Sequence, residues 1–147
     1  MIIPAYNEEE SIFDTVTSIL NYRKKVDFDL DYVVINDGST DKSKDICERY
    51  CKEDTRFKLI NQANQGQSVA RNNGVAASAG KYIAFVDSDD IIRHDYLEEL
   101  IRYMSEDVDI VESKFTVQKK EFFNENYKEI NVVFEGDSEE AVKVVPK

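Results

Sequence analysis

Apolar positions along this chain fall into two periods. The runs Ile2-Ile3, Tyr32-Val33-Val34-Ile35 and Tyr82-Ile83-Ala84-Phe85-Val86 are continuous and rich in β-branched and aromatic side chains. They predict strands, the last two buried on both faces. Between them apolar residues recur at helical spacing, first at Ile12, Phe13, Val16, Ile19 and Leu20, then at Ile46, Cys47, Tyr50 and Cys51. Phe57-Lys58-Leu59-Ile60 is shorter and more polar, as expected of a strand near a sheet edge. Gln67 to Ala79 predicts a helix of small residues (Ala70, Ala76, Ala77, Ala79) that can lie close against a sheet, with Gly80 as its stop. Leu97, Leu100, Ile101 and Met104 mark another helix, and Val108 to Val111 a fifth strand with a continuation through Phe115 to Val117.

Punctuation between these elements supports the division. Pro4 closes the first strand. Asn7 with Glu10, and Asp95 with Glu98, have the spacing of capping boxes. Beyond Thr116 the pattern weakens: Ile130 to Phe134 suits a strand, Glu135 to Glu140 is acidic, and Val142 to Val145 has no assigned role.

Strand and helix alternating four times predict a three-layer α/β/α fold with a mostly parallel central sheet. Right-handed crossovers bring every loop that follows a strand to one edge of such a sheet. Pro4-Ala5-Tyr6-Asn7, Asn36-Asp37-Gly38-Ser39, Asn64-Gln65-Gly66 and Asp87-Ser88-Asp89 should therefore converge at the carboxyl ends of the strands. Ligands bind there, near the point where strand order reverses.

The chemistry concentrates after Val86, where Asp87, Asp89 and Asp90 fall within four positions. Carboxylates fixed at a strand end suit a hard divalent cation, Mg²⁺ or Mn²⁺; the competing reading is a solvated acidic turn. The formal net charge of −11 argues against nucleic acid or an anionic membrane as partners, and would repel a polyphosphate unless a metal or local cations intervened. Asp37 can accept hydrogen bonds from a base or ribose, or cap a helix. Arg71 can reach phosphate, or be a solvated helix charge.

Other chemistries fall away. Neither G-x-G-x-x-G nor G-x-x-x-x-G-K-[ST] occurs. His94 is the sole histidine and no G-x-S-x-G elbow accompanies it, which disfavours a serine triad. A haloacid-dehalogenase-type phosphatase would carry its nucleophilic Asp after the first core strand, not the fourth. Cys47 and Cys51, four apart on a helix, read as buried thiols in a reducing, cytoplasmic setting. No apolar run approaches the roughly 20 residues of a membrane span.

Four segments, Ile2 to Glu9, Val34 to Asp41, Asn64 through Gly74 and Gly80 through Asp90, together resemble family 2 glycosyltransferases of the GT-A fold. The resemblance covers residues 2 to about 113, a nucleotide-sugar-binding core over 1–113 followed by an incomplete C-terminal extension, 114–147, at the start of the acceptor side. It implies inverting transfer of a sugar from a nucleotide diphosphate, often UDP, with Mn²⁺ or Mg²⁺, to a glycan, lipid or protein acceptor, as in cell-surface polysaccharide assembly. It also implies that Pro4, Ala5, Tyr6 and Glu8 line the nucleotide pocket, that Asp37 contacts the base, and that Arg71 lies near the pyrophosphate. Asp87, Ser88 and Asp89 match the D-x-D, with Asp89 the usual metal ligand and Asp87 beside it. Asn36 stands where Asp is common, and His94 where Pro is frequent. No acceptor-side motif is found between Thr116 and Lys147, so no catalytic base is assigned, and Glu135, Asp137, Glu139 and Glu140 read as a solvated acidic run. That gap and the abrupt first strand suggest part of a longer protein, membrane-peripheral when whole.

Overall fold

The computed structural model describes residues 1–22, 28–92, 95–105, 108–113 and 142–146. It divides into two compact units, Met1–Ile92 and Arg93–Lys147.

The first unit contains β1 (Ile2–Ala5), α1 (Ile12–Tyr22), β2 (Tyr32–Asp37), α2 (Ser43–Glu53), β3 (Phe57–Gln62) and α3 (Gln67–Ala77). The strands form a parallel sheet in the order β1-β2-β3, with Ile2 opposite Val33 and Ile35 opposite Ile60. Alternation along the strands sorts the apolar residues onto two faces. Ile2, Val33 and Ile35 pack with Ala70 of α3 on one face, with Ile60 against them. On the other, Tyr32 stacks on Phe57 with ring centroids 4.4 Å apart, and Phe57 meets Tyr50 of α2 at 6.0 Å. Helices therefore cover both faces, as the pattern requires of a sheet whose central strand β2 is buried throughout.

Small residues let α3 approach, but not all those expected. Ala70 and Gly74 are the buried residues of α3, whereas Ala76 and Ala77 face solvent. A Cβ on Gly74 would stand 2.4 Å from Cγ2 of Ile2, so only glycine allows this helix-to-strand distance. The helix ends at Ala77, before Gly80; Ser78 N donates to Val75 O at 3.1 Å and Ser78 Oγ to Gly74 O at 2.8 Å. On α1, Ile12, Val16 and Ile19 are fully buried, but Phe13 is not on that face: it is 46% exposed, tilted against Tyr50 with the Arg49 guanidinium over its ring. Cys47 is buried and Cys51 partly so, both as free thiols. Burial, with Cys51 and Asp41 nearby, pushes the Cys47 thiol up to about 12.

The second unit contains α4 (Tyr96–Tyr103), β4 (Val108–Ser113) and β5 (Val142–Pro146). Asp95 occupies the N-cap of α4 but makes no side-chain cap hydrogen bond. β4 does not extend the parallel sheet. It pairs antiparallel with β5, Val111 opposite Val144, which gives the terminal valine run a role the sequence left blank. Val108 and Val111 are half-buried whereas Ile110 is exposed, and the ladder is irregular between Val108 and Ile110. Phe115 to Val117, Ile130 to Phe134, the acidic run from Glu135 to Glu140, and His94 lie outside the described residues.

Candidate functional site: a rim of four strand-end loops

Tyr82 to Val86 is the first departure. It has the composition of a doubly buried strand, yet Tyr82, Ile83 and Phe85 are 45%, 41% and 42% exposed. Its pairing is one parallel bridge, Phe85 to Ile2: Ile2 N donates to Ala84 O at 2.8 Å, and Val86 N to Ile2 O at 3.1 Å. The next donor of β1 on that flank would be residue 4, which is proline and has no N–H. Pro4 does not end β1, since it pairs with Ile35 across β2. It ends the ladder on the other flank, and the chain is free to turn away after Val86. The segment still lies beside β1 on the side opposite β2, so strand order reverses at β1.

The turn that follows is held by two helices. Asp90 N donates to Asp87 O at 3.1 Å, closing the turn, and Ser88 inside it is buried. From α1, Thr15 Oγ1 donates to Ser88 O at 2.8 Å and to Asp90 O at 3.2 Å. From α3, Arg71 Nη2 donates to Asp87 Oδ1 at 2.6 Å and Gln67 Nε2 to the same oxygen at 3.3 Å. Arg71 thus pairs with Asp87 within the protein. Asp89 and Asp90 are exposed. Partial burial, then the charges of Asp89 and Asp87, raise the Asp90 carboxyl above its usual range.

The loops after β1 and β2 are joined reciprocally. Asn7 N donates to Ser39 Oγ (3.1 Å), Glu8 N to Ser43 Oγ (2.7 Å) and Glu9 N to Asp41 Oδ2 (3.1 Å). In return Thr40 N donates to Asn7 Oδ1 (2.8 Å) and Lys42 N to Glu9 Oε2 (2.9 Å). Asn7 is therefore not a cap of α1. Its backbone is left-handed (φ 56), a conformation asparagine tolerates better than most residues, and its side chain crosses to the other loop. The first turn of α1 is closed instead by Glu8, whose carbonyl accepts from Ser11 N and Ile12 N and whose Oε2 accepts from Ser11 Oγ. Slight burial raises the Asp41 carboxyl, but hydrogen bonds from the Ser43 hydroxyl, Ser43 N and Glu9 N outweigh it and hold Asp41 below its usual value.

Asp37 joins the second loop to the third. It is buried; Oδ1 accepts from Gln62 Nε2 and Gln65 N, and Oδ2 from Gly66 N, all at 2.8 Å. Gly38, at φ 74, brings the backbone so near Asn64 that a Cβ would meet its N at 2.7 Å. Asn36 donates to Asn61 Oδ1 at 2.9 Å and accepts from Ser39 N at 3.1 Å. An aspartate there could accept from Ser39 but not donate, so Asn61 would need another partner.

Three of the four loops expected to converge are thus hydrogen-bonded in series, and the fourth is tied to α1 and α3; Tyr6, exposed at the end of β1, and the half-buried Glu8 lie beside buried Pro4 and Ala5. The connecting groups were largely invisible in the sequence: Thr15, Gln62, Gln67, Asp41 and Ser43. Thr15 left one trace, a polar residue within the buried stripe Ile12, Val16, Ile19.

Among the described residues no three Asp, Glu, His or Cys side chains form a ready-made cation cage. The exposed carboxylate of Asp89, which with Asp87 lies close enough to raise the Asp90 carboxyl, does fit a hard cation that takes its remaining ligands from water and phosphate.

The sequence model of glycosyl transferase family 2 matches residues 1–142. The chain belongs to that family. The putative glycosyltransferase EpsH of Bacillus subtilis is 40% identical over 111 residues, and glycosyltransferase GlyA of Streptococcus pneumoniae 42% over 106. These matches cover 76% and 72% of this chain but 31% and 15% of the relatives, so the chain spans under a third of their length. Among solved structures, S. aureus TarS 1-349 in complex with UDP-GlcNAc matches at 31% identity with a TM-score of 0.58, over 69% of this chain and 29% of TarS 1-349. Mannosyltransferase PcManGT from Pyrobaculum calidifontis, in complex with GDP-Man and Mn²⁺, shares the fold at 20% identity and a TM-score of 0.65, over 75% of this chain and 33% of its own. Like these glycosyltransferases, the chain has the GT-A fold.

Proposed function

We propose that this chain is the donor-binding part of a glycosyltransferase that moves a sugar from a nucleotide diphosphate to a glycan, lipid or protein acceptor, with inversion. The observation that carries this is the rim at the strand ends: three loops joined by hydrogen bonds, with Asp37 among them, and the Asp87 to Asp90 turn fixed by Arg71 and Gln67 of α3 where strand order reverses. UDP is the favoured donor nucleotide, supported by the UDP-GlcNAc complex of TarS. Pro4, Ala5, Tyr6 and Glu8 line the nucleotide side. Asp37 acts there by fixing Gln65 and Gly66 beneath the base, with its remaining acceptor capacity open to the base itself. Asp89, beside Asp87 and Ser88, holds Mn²⁺ or Mg²⁺. A cation bound there neutralises the diphosphate and stabilises it as leaving group. Arg71 holds Asp87 in place through Nη2 and brings its positive charge toward the diphosphate.

Calorimetric titration with UDP, with and without Mn²⁺, tests this. Binding strengthened by Mn²⁺ in the wild type and not in Asp89→Ala is expected; UDP binding indifferent to metal in the wild type would sink the donor-site reading.

A second reading is favoured by the coverage of 31% and 15% of the relatives. The 147-residue chain binds nucleotide sugar but does not turn over, its catalytic base lying elsewhere in a longer protein. Acceptor transfer by this chain at the rate of a longer one would refute it. The free thiols suit a cytoplasmic site of action, and among the described residues no helix is long and apolar enough to cross a membrane.

A further inference from the structure

Thr15 is an unusual residue to find where it is. It sits on α1 in the stripe that buries Ile12, Val16 and Ile19, and is itself 2% exposed. A threonine in a helix commonly turns its hydroxyl back to a carbonyl of the preceding turn. Here Oγ1 instead reaches across 73 residues of sequence to Ser88 O, and also to Asp90 O. These two carbonyls flank Asp89. The segment before the turn is tied to the sheet by a single bridge, and Pro4 removes the next donor that would have continued it. The orientation of Asp89 therefore depends on what grips the turn itself. Arg71 and Gln67 grip the side chain of Asp87. Among the described residues Thr15 is the side chain that grips the backbone on both sides of Asp89.

We infer that Thr15 is a positioning residue for the cation-binding turn, setting the direction of the Asp89 carboxylate from the adjacent helix α1 without touching ligand. This rests on the donor-site reading above. Its physical basis is that a buried hydroxyl shared between two carbonyls restrains the 88–89 and 90–91 peptides, which bracket Asp89 and Asp90. Removing the donor leaves the buried Ser88 carbonyl without that partner, releases the part-buried Asp90 carbonyl, and frees the turn to rotate.

The experiment compares the full 147-residue chain with Thr15→Val, which keeps the shape and loses the donor, and Thr15→Ser, which keeps the donor and loses a methyl group. Amide hydrogen exchange over residues 87–91 is followed without metal or nucleotide, and UDP affinity is measured with and without Mn²⁺. In Thr15→Val, exchange at the turn should accelerate and the Mn²⁺-dependent gain in UDP affinity should fall about tenfold, the equivalent of one buried hydrogen bond. Metal-free UDP binding should be unchanged, and Thr15→Ser should restore both properties. If Thr15→Val does not fold, Thr15→Ala, which makes no new contact, takes its place in the same comparison. Unchanged exchange at the turn overturns the inference whatever the metal does. Faster exchange with the full Mn²⁺ gain retained also overturns it, as does equal loss in Thr15→Ser, which would point to packing. A wild type whose UDP binding ignores Mn²⁺ overturns the donor-site reading and this inference with it; exchange then still reports whether Thr15 pins the turn.

Discussion

The loops after β1 and β2 hold each other by backbone amides that meet side-chain oxygens in both directions, whereas Asp87 to Asp90 is gripped from outside by side chains of α1 and α3. The difference is in what a ligand can displace. Backbone amides in the first region are satisfied by the fold and stay so when a ligand arrives. In the second, Arg71 and Asp87 are both about one-third exposed and are the kind of groups that diphosphate and cation would also engage. One side of the rim is scaffold; the other can exchange protein partners for ligand.

Asp37→Asn should break the scaffold side most. It removes the charge from a buried acceptor of three hydrogen bonds and sets an amide donor against Gln65 N or Gly66 N, at a cost of about 3 kcal/mol. Urea unfolding should show a lower midpoint at unchanged slope. A cost as small as that of a surface substitution would mean this side is no firmer than the other. Arg71→Gln should do the reverse. An ion pair this exposed contributes less than about 1 kcal/mol to folding, while UDP affinity in the presence of Mn²⁺ should fall about tenfold for the lost charge-assisted contact. A large fall in stability with unchanged affinity would make Arg71 scaffold as well.

The smallest effect is in pH. Asp41 is held below its ordinary value of 3.8, so its contribution to the β1–β2 loop junction is complete above that value and is lost as pH falls through the lowered one. The stability difference between wild type and Asp41→Asn should shrink on going from about pH 6 to about pH 3. A difference constant across that range would remove Asp41 from the junction.

How far the sequence could be read follows from what each residue depends on. β2 was plain because four consecutive apolar residues need cover on both faces, and α2 and α3 supply it. Tyr82 to Val86 carries the same signal and did not become a regular strand, because pairing depends on the neighbour's donors and Pro4 withholds one. The convergence of the loops was legible from topology alone. Which groups would join them was not, since Thr15, Gln62 and Ser43 have no motif: each is an ordinary polar residue until the fold sets a carbonyl, carboxylate or amide opposite it. Gly74 is a similar case. Its small size reads as a weak point in a helix, and only the position of Ile2, whose Cγ2 would lie 2.4 Å from a Cβ there, shows why nothing larger fits.

The reciprocal junction between the first two loops bears on how this chain can vary. Five backbone amides, of residues 7, 8, 9, 40 and 42, each meet a side-chain oxygen of the opposite loop or, for residue 8, of Ser43 at the start of α2. Inserting or deleting one residue in either loop would shift those donors out of step with their acceptors. The two loops are therefore coupled in length: side chains pointing away from the junction can drift, but the residue count between β1 and α1 and between β2 and α2 can change only if both change together.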